Sequence, residues 1–422
     1  MHIPYAANAR STDNGAAQKS NAVWRPARDI RFCASRHDFL DAGGVLANEY
    51  GMTPVNRRIA FHFYNLGLGG VERLRIALAQ ELLARGYAVD FVLVQKKGEL
   101  LPQVPAGVRI IDLGAKRTLG SIWPLVRYLR HDPPDAMFAS LGPQNIVAIL
   151  ARRLSGARTW LGVMQHNALS VQARSGISIQ QRLVPMAYRL VLRGADRVLA
   201  VSAGVADDLA IATGYPRDRV GVLYNPAYPG DLDAALAERP SHRFFDGTAP
   251  VVLGAGRLVP QKDWETLVRA FAKVAERRPA RLIIAGAGPE EGALRALVTD
   301  LGLGDVVDLV GFQKSPLAWM AAADLFVMSS RFEGFGNVLV EALATGTPVV
   351  STDCRFGPAE ILADGLYGRL VPVGDVEAMA TTISTALDEP VESAKLIARA
   401  KEFGVSQTTD RYLETAFGVA ST

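Results

Sequence analysis

Two consecutive α/β domains, each a doubly wound parallel sheet, are what this sequence predicts, and three observations carry the prediction. Its 422 residues are too many for one ordinary domain and comfortable for two. From Arg57 onward, short apolar runs alternate with amphipathic stretches, the βαβ rhythm of a parallel sheet covered by helices. The rhythm lapses once, around residues 226–250, and then restarts. A composition of 49% hydrophobic and 21% charged residues excludes a disordered or fibrous chain. No apolar run reaches the roughly eighteen residues that a membrane-spanning helix needs.

The elements follow in order. RIAFHFYN reads as a buried strand and GLGGVER as a tight glycine turn. VERLRIALAQELLARG then places Val71, Leu74, Leu78 and Leu82 on one helical face and closes at Gly86. AVDFVLV, VRIIDL, AMFAS, TWLGVM and DRVLAVS are short buried strands. The proline-rich stretch PAYPGDLDAALAERPSHRFFDGTAP reads as the interdomain linker. Regularity resumes with APVVLGAGRL, ETLVRAFAKVAERR, RLIIAG and EEGALRALVTDLGL, and continues through LFVMSS, PVVST and GRLVPV. The expected boundaries are a loosely ordered tail over 1–55, a first domain over 56–230, a linker over 231–248, a second domain over 249–400, and a closing helix over 401–422 that packs back on the first domain. In such folds ligands bind beyond the carboxyl ends of the strands, here in a cleft between the domains.

The formal net charge of +4 conceals an asymmetry. Residues 1–240 hold 29 Lys and Arg against 19 Asp and Glu, whereas residues 241–422 hold 17 against 23. The basic half suits an anionic ligand, a membrane surface or nucleic acid, and charge does not choose among them. Cys33 and Cys354 form no CxxC and fit a reducing cytosol. The first ten residues lack a basic segment followed by an apolar one, so secretion is not expected and the expected location is cytoplasmic. Met52 stands just ahead of the first strand and is a candidate start alongside Met1.

Several motifs could carry chemistry. Gly286-Ala-Gly288 follows a strand and opens a helix, the context of a dinucleotide fingerprint, but Glu291 stands where a third glycine would be. Carboxylates at that helix start would repel a pyrophosphate, which argues against NAD. Asp231-Leu-Asp233 could hold a divalent metal, yet it lies in the linker, where a solvated acidic turn is the simpler reading. The six histidines have no ligand spacing, so no metal and no cofactor is expected. Arg257 and Lys262 sit in a loop before a helix and form either an anion site or an exposed basic loop. Glu333 and Glu341 are eight residues apart on either side of Gly334-Phe-Gly336. If that span is helical it covers about 12 Å, enough for one carboxylate on a ribose and one on a hexose.

With these residues in order, the chain resembles the retaining glycosyltransferases of family 4, the glycosyl transferases group 1, which have the GT-B fold of two Rossmann-like domains. The E-x7-E element, GRLVPQKD and GPAEIL carry the resemblance, together with GLGGVER, Gln165-His166-Asn167, AVSAGVADDL and Tyr224-Asn225-Pro226. It covers roughly residues 57–420. It implies that Arg257 and Lys262 bind the donor diphosphate and stabilise the charge that grows on it. Main-chain N–H groups of Phe335, Gly336, Asn337, Val338 and Leu339 would hold sugar hydroxyls and phosphates. Glu333 would take donor-sugar hydroxyls and Glu341 the ribose. The loop at Gly311, Phe312 and Gln313 would reach the base, and Gly256 and Gly288 would line the donor site. Gly69 and Gly70 would face the diphosphate from the first domain, and His166 would lie near the reacting carbon; as a residue by itself it also reads as a satisfied core histidine. The implied reaction is metal-free transfer of a hexose or N-acetylhexosamine from a nucleotide sugar, with a lean toward UDP over GDP-mannose. A non-catalytic nucleotide-sugar sensor is the rival of a different class.

The basic half is the acceptor side in this fold. MAYRLVLRG puts Met186 and Leu190 at helical spacing with Arg189 and Arg193 beside them, which reads as a peripheral membrane contact or an ordinary surface helix. The expected acceptor is lipid-linked or a polysaccharide precursor. No nucleic-acid module is present in the sequence.

Overall fold

The computed structural model describes residues 57–67, 69–174, 179–230, 232–238, 240–390 and 392–418. The expected tail, with Met1, Met52 and Cys33, lies outside the described residues, as does Asp231 of the acidic pair.

The first lobe is a seven-stranded parallel sheet in the order β3-β2-β1-β4-β5-β6-β7. Its strands are β1 (Arg58–Phe63), β2 (Ala88–Leu93), β3 (Val108–Asp112), β4 (Ala136–Ser140), β5 (Trp160–Gln165), β6 (Arg197–Ala200) and β7 (Val220–Val222). Its helices are α1 (Gly70–Ala84), α2 (Ile122–His131), α3 (Gly142–Ser155), α4 (Leu169–Arg174), α5 (Ile179–Val191) and α6 (Ala203–Thr213). The strands read as continuous apolar runs because both faces are covered: Phe61, Phe91 and Phe138 are fully buried across three adjacent strands. Caps set the helix limits. Ser202 Oγ accepts the Val205 N–H at 3.2 Å to start α6, and Gly156 and Gly214 take left-handed conformations to end α3 and α6.

The linker is partly ordered as a short helix, α7 (Leu232–Ala237). The second lobe is a six-stranded parallel sheet in the order β10-β9-β8-β11-β12-β13. Its strands are β8 (Val251–Ala255), β9 (Arg281–Ala285), β10 (Val307–Gly311), β11 (Leu325–Met328), β12 (Val349–Thr352) and β13 (Arg369–Val371). Its helices are α8 (Trp264–Arg277), α9 (Glu291–Asp300), α10 (Pro316–Ala322), α11 (Asn337–Ala344), α12 (Pro358–Leu362), α13 (Val376–Asp388) and α14 (Ser393–Lys401). In each sheet the strand order reverses beside β1 or β8, the position at which ligands bind in open parallel sheets.

The last helix, α15 (Val405–Phe417), crosses to the first lobe and packs on α1. Arg85 bonds Asp410 at 2.5 Å, and Tyr87 stacks on Phe417. Arg75 corrects the face expected for α1. The buried residues of that helix are Arg75, Leu78, Ala79 and Leu82, with Val71 and Leu74 only half-buried. The Arg75 guanidinium bonds the Tyr412 hydroxyl of α15 and Ser140 Oγ, and lies over the Phe61 ring. An arginine joins an apolar core here because α15 supplies it with a hydroxyl and an aromatic face.

Candidate active site

In the second lobe the loops leaving β8 and β9 run side by side. Gly256 N–H donates to the Ala285 carbonyl and Leu258 N–H to that of Ala287, both at 2.9 Å. A Cβ at Gly286 would overlap the Gly256 carbonyl, and one at Gly288 the Leu258 carbonyl. The two glycines therefore permit a close approach of two loops. Helix α9 begins at Glu291 with Glu290 before it, so this turn has the wrong charge for a pyrophosphate.

The β8 loop delivers its two cations in different states. Arg257 is exposed, and its guanidinium has no hydrogen-bond or ion-pair partner among the described residues. Lys262 Nζ lies 2.5 Å from Glu333 Oε1, with both side chains largely buried. Ser330 Oγ donates to the same oxygen at 2.7 Å, and Gln261 Nε2 approaches the other at 3.5 Å. Asp263 follows with φ 49, a left-handed conformation uncommon for a residue with a side chain. Its carboxylate holds Arg331 at 2.9 Å and Thr266 at 3.0 Å, which fixes that turn and so the reach of Lys262.

Beyond β11 the chain turns at Gly336 (φ 101) into α11. The N–H groups of Gly336, Asn337 and Val338 bond no described residue, so this helix start presents bare donors. Two expectations are corrected here. Leu339 N–H is already bonded to the Gly336 carbonyl at 2.9 Å, which removes it from the expected cradle. The span from Glu333 to Glu341 is helical only from Asn337, so the ideal-helix separation does not apply. The Phe335 ring is buried between Tyr224 and Phe403, with centroids 5.4 and 5.5 Å away, which leaves only its main chain for a ligand. Burial pushes the Glu341 carboxyl up to about 7, against the pull of the Arg73 and Lys262 charges. At the rim, Gly311 (φ 72) turns the chain and Phe312 is exposed. Gln313 Nε2 donates to the Val310 carbonyl at 2.8 Å, so its amide folds back on its own loop.

The first lobe brings its residues to the same place. Asn337 Nδ2 lies 3.6 Å from where a Gly70 Cβ would stand, so α1 and α11 meet N-terminus to N-terminus. Glu72 folds its carboxyl over Gly69, and burial raises its pKa. His166 follows β5, with its carbonyl against Gly334 such that any Cβ there would overlap it. Both His166 ring nitrogens are buried without a partner among the described residues. Burial, aided by the nearby Arg75 charge, holds this imidazole well below its usual pKa, hence neutral. A buried polar group left unpaired costs about 1–3 kcal/mol, which a bound hydroxyl would relieve. The lobes are tied across the cleft by Asn225 Nδ2 to Asn337 Oδ1 at 3.0 Å and Ser202 Oγ to the Gly334 carbonyl at 2.8 Å. Glu360 takes the Ala203 and Gly204 N–H groups at 2.8 and 3.0 Å, capping α6 from the other lobe.

Comparison with known proteins gives this geometry a family. The description "Glycosyl transferase 4-like domain" matches residues 69–226 and "Glycosyl transferases group 1" matches 238–403. A D-inositol 3-phosphate glycosyltransferase of Thermomonospora curvata is 33% identical over 403 residues, covering 84% of this chain and 91% of that protein. The chain belongs to the family-4 glycosyltransferases. This glycosyltransferase is also 28% identical, over 79% of its length and 91% of the other, to the N-acetylgalactosamine-N,N'-diacetylbacillosaminyl-diphospho-undecaprenol 4-alpha-N-acetylgalactosaminyltransferase of Campylobacter jejuni. Its fold matches that of Anabaena HepE in complex with UDP-glucose, with TM-score 0.70, 23% identity and coverage of 86% and 100% of the two chains. The GT-B architecture expected from the sequence is thus present.

Three residues of the glycosyltransferase at this site were not singled out from its sequence. Arg73, at the start of α1, sets its charge against Glu341 from across the cleft. Glu360 was read only as part of a motif, and its contact is with the opposite lobe. Arg75 sits among leucines and alanines at a helical spacing that fits the buried face, a signal the alternative face obscured.

Proposed function

We propose that this enzyme is a metal-independent, retaining glycosyltransferase that moves a hexose or N-acetylhexosamine from a UDP-linked donor to a lipid-linked or polysaccharide-precursor acceptor at the cytosolic face of a membrane. The observation that carries the reading is the buried Lys262–Glu333 pair, followed by the N–H groups of Gly336, Asn337 and Val338 and preceded by Arg257, all four without a partner among the described residues. Cations and preorganised N–H donors converge where a leaving diphosphate gathers charge, and a carboxylate stands ready for sugar hydroxyls. The relative named for transfer onto a diphospho-undecaprenol substrate supports the acceptor class. The GPAEIL and GGVER elements support the UDP lean.

In this reading the bond from the sugar's anomeric carbon to the diphosphate oxygen breaks as the acceptor oxygen adds to the same face. The acceptor proton passes to the departing phosphate. Arg257, Lys262 and the α11 N–H groups stabilise that phosphate, and neutral His166 holds a sugar hydroxyl beside the reacting carbon. Glu333 keeps Lys262 placed while it accepts from the sugar. A panel of UDP- and GDP-sugars with a prenyl-diphosphate-linked acceptor, run with and without EDTA, tests the proposal. Transfer from a UDP-sugar that survives EDTA, with the anomeric configuration retained by NMR, is the expected result. Transfer only from GDP-mannose would replace the donor assignment, and inversion or loss with EDTA would sink the mechanism.

A further inference from the structure

Helix α5 has two apolar faces, and a surface helix of a soluble protein needs one. Val184 and Tyr188 form the first: both are buried against α3. The second consists of Leu183, Met186 and Leu190, which are 52%, 64% and 82% exposed. Their spacing of three and four residues confines them to an arc of about 60° on the side away from the core. Ile211 on α6, 84% exposed, extends the ridge, since Arg189 of α5 reaches the neighbouring Ala212 carbonyl at 3.4 Å. Isolated exposed leucines need no explanation, but four large aliphatic side chains on two packed helices do.

The charge around this ridge says what covers it. From residue 136 to residue 195 the chain has seven arginines, no lysine and no Asp or Glu. Arg189 and Arg193 are exposed at the ridge and make no ion pair among the described residues. The acids that bound this region are already engaged: Asp196 pairs with Arg152 and Asp207 with Arg217, while Asp135 accepts the Arg58 N–H at 2.7 Å and buried Asp208 the Ser170 N–H at 3.1 Å. An apolar ridge with an unopposed arginine rim suits the interface of an anionic bilayer, with aliphatic tips in the acyl region and guanidinium groups on phosphates. No helix among the described residues is long and apolar enough to cross a membrane, so the contact is one of lying on the surface.

We propose that α5 and the end of α6 form a docking face for an anionic lipid bilayer. The face is wired to the site: Tyr188, on the buried side of α5, donates to Gln165 Oε1 at 3.1 Å, and Gln165 Nε2 holds the Asn167 carbonyl at 2.6 Å, on either side of His166. A bilayer seated on α5 would therefore bear on the loop that carries His166. This inference does not depend on the donor assignment, and its test reads lipid binding alone.

The test is flotation of the full-length protein with phosphatidylglycerol–phosphatidylethanolamine vesicles and with phosphatidylcholine vesicles, at low and high salt. The expected result is flotation with the anionic vesicles at low salt and release at high salt. Met186→Glu with Leu190→Glu should weaken partitioning at least tenfold, and Arg193→Glu by roughly fivefold or more. Both variants should keep the wild-type circular-dichroism melt, since the substituted side chains are exposed. Wild-type protein that stays at the bottom at low salt would overturn the proposal. So would equal flotation with phosphatidylcholine, a double variant that floats like wild type, or light scattering that shows the double variant breaking a dimer.

Discussion

The two lobes have opposite charge balances, and the way each spends its charge is more informative than the balance. In the acidic second lobe, Lys262 is buried against Glu333, while Arg257, five residues earlier in the same loop, is exposed with no partner among the described residues. In the basic first lobe the arginines at the end of α5 are exposed and make no ion pair among the described residues, while the cleft holds a neutral histidine whose ring nitrogens have no partner among them. Local pairing and burial decide what a surface binds, because exposed charges are screened within about 10 Å whereas buried ones are screened much less.

If the second lobe is the electrostatic half of the site, Lys262→Ala should have the largest effect, a loss of roughly 10²–10³ in kcat. The removal also strands a buried carboxylate, so the melting temperature should fall as well. A lower melting temperature with unchanged turnover would reduce the pair to a structural role. Glu333→Gln keeps the shape and removes the charge, and kcat/KM should drop on the order of tenfold to a hundredfold. Arg257→Ala should cost roughly tenfold in kcat/KM with almost no change in stability, because the side chain is exposed and has no partner among the described residues. Equal stability losses for Arg257→Ala and Lys262→Ala would erase the contrast between them.

The pH profile sharpens the comparison further. The Glu341 carboxyl titrates near 7 in the folded protein, above the value of about 4.3 for an unfolded chain. Between those values the folded state holds the extra proton, so this residue's contribution to stability declines as pH rises from about 4.5 to about 7. Donor hydroxyls need the ionised form, so kcat/KM for the donor should rise with pH through about 7 and flatten in Glu341→Gln. His166, held neutral, should add no limb near 6.5; a limb there that vanishes in His166→Ala would contradict its burial. The smallest effect belongs to Glu360→Gln, which weakens the cap on α6 by about 1 kcal/mol in a thermal melt.

Much of this was legible in the chain. The strand–helix alternation yielded both sheets, since a parallel sheet covered on both faces must be written as apolar runs. The E-x7-E spacing and the GRLVPQKD loop pointed to Glu333, Glu341, Arg257 and Lys262. Periodicity placed Leu78 and Leu82 of α1 in the core but missed Arg75, which is buried with the help of Tyr412, more than three hundred residues away, and of Ser140. Leu339 N–H was likewise unreadable: whether a first-turn donor is free depends on the conformation of Gly336.

The sequence by itself determined two parallel-sheet lobes, their order and the residues offered to a cleft, because hydrophobic period and glycine placement are local properties. Tertiary structure alone decided that Lys262 is paired with Glu333, that Glu360 caps α6 from the other lobe, and that α5 keeps a second apolar face exposed. Pairing, burial and exposure depend on which distant segments meet, and no local pattern encodes that.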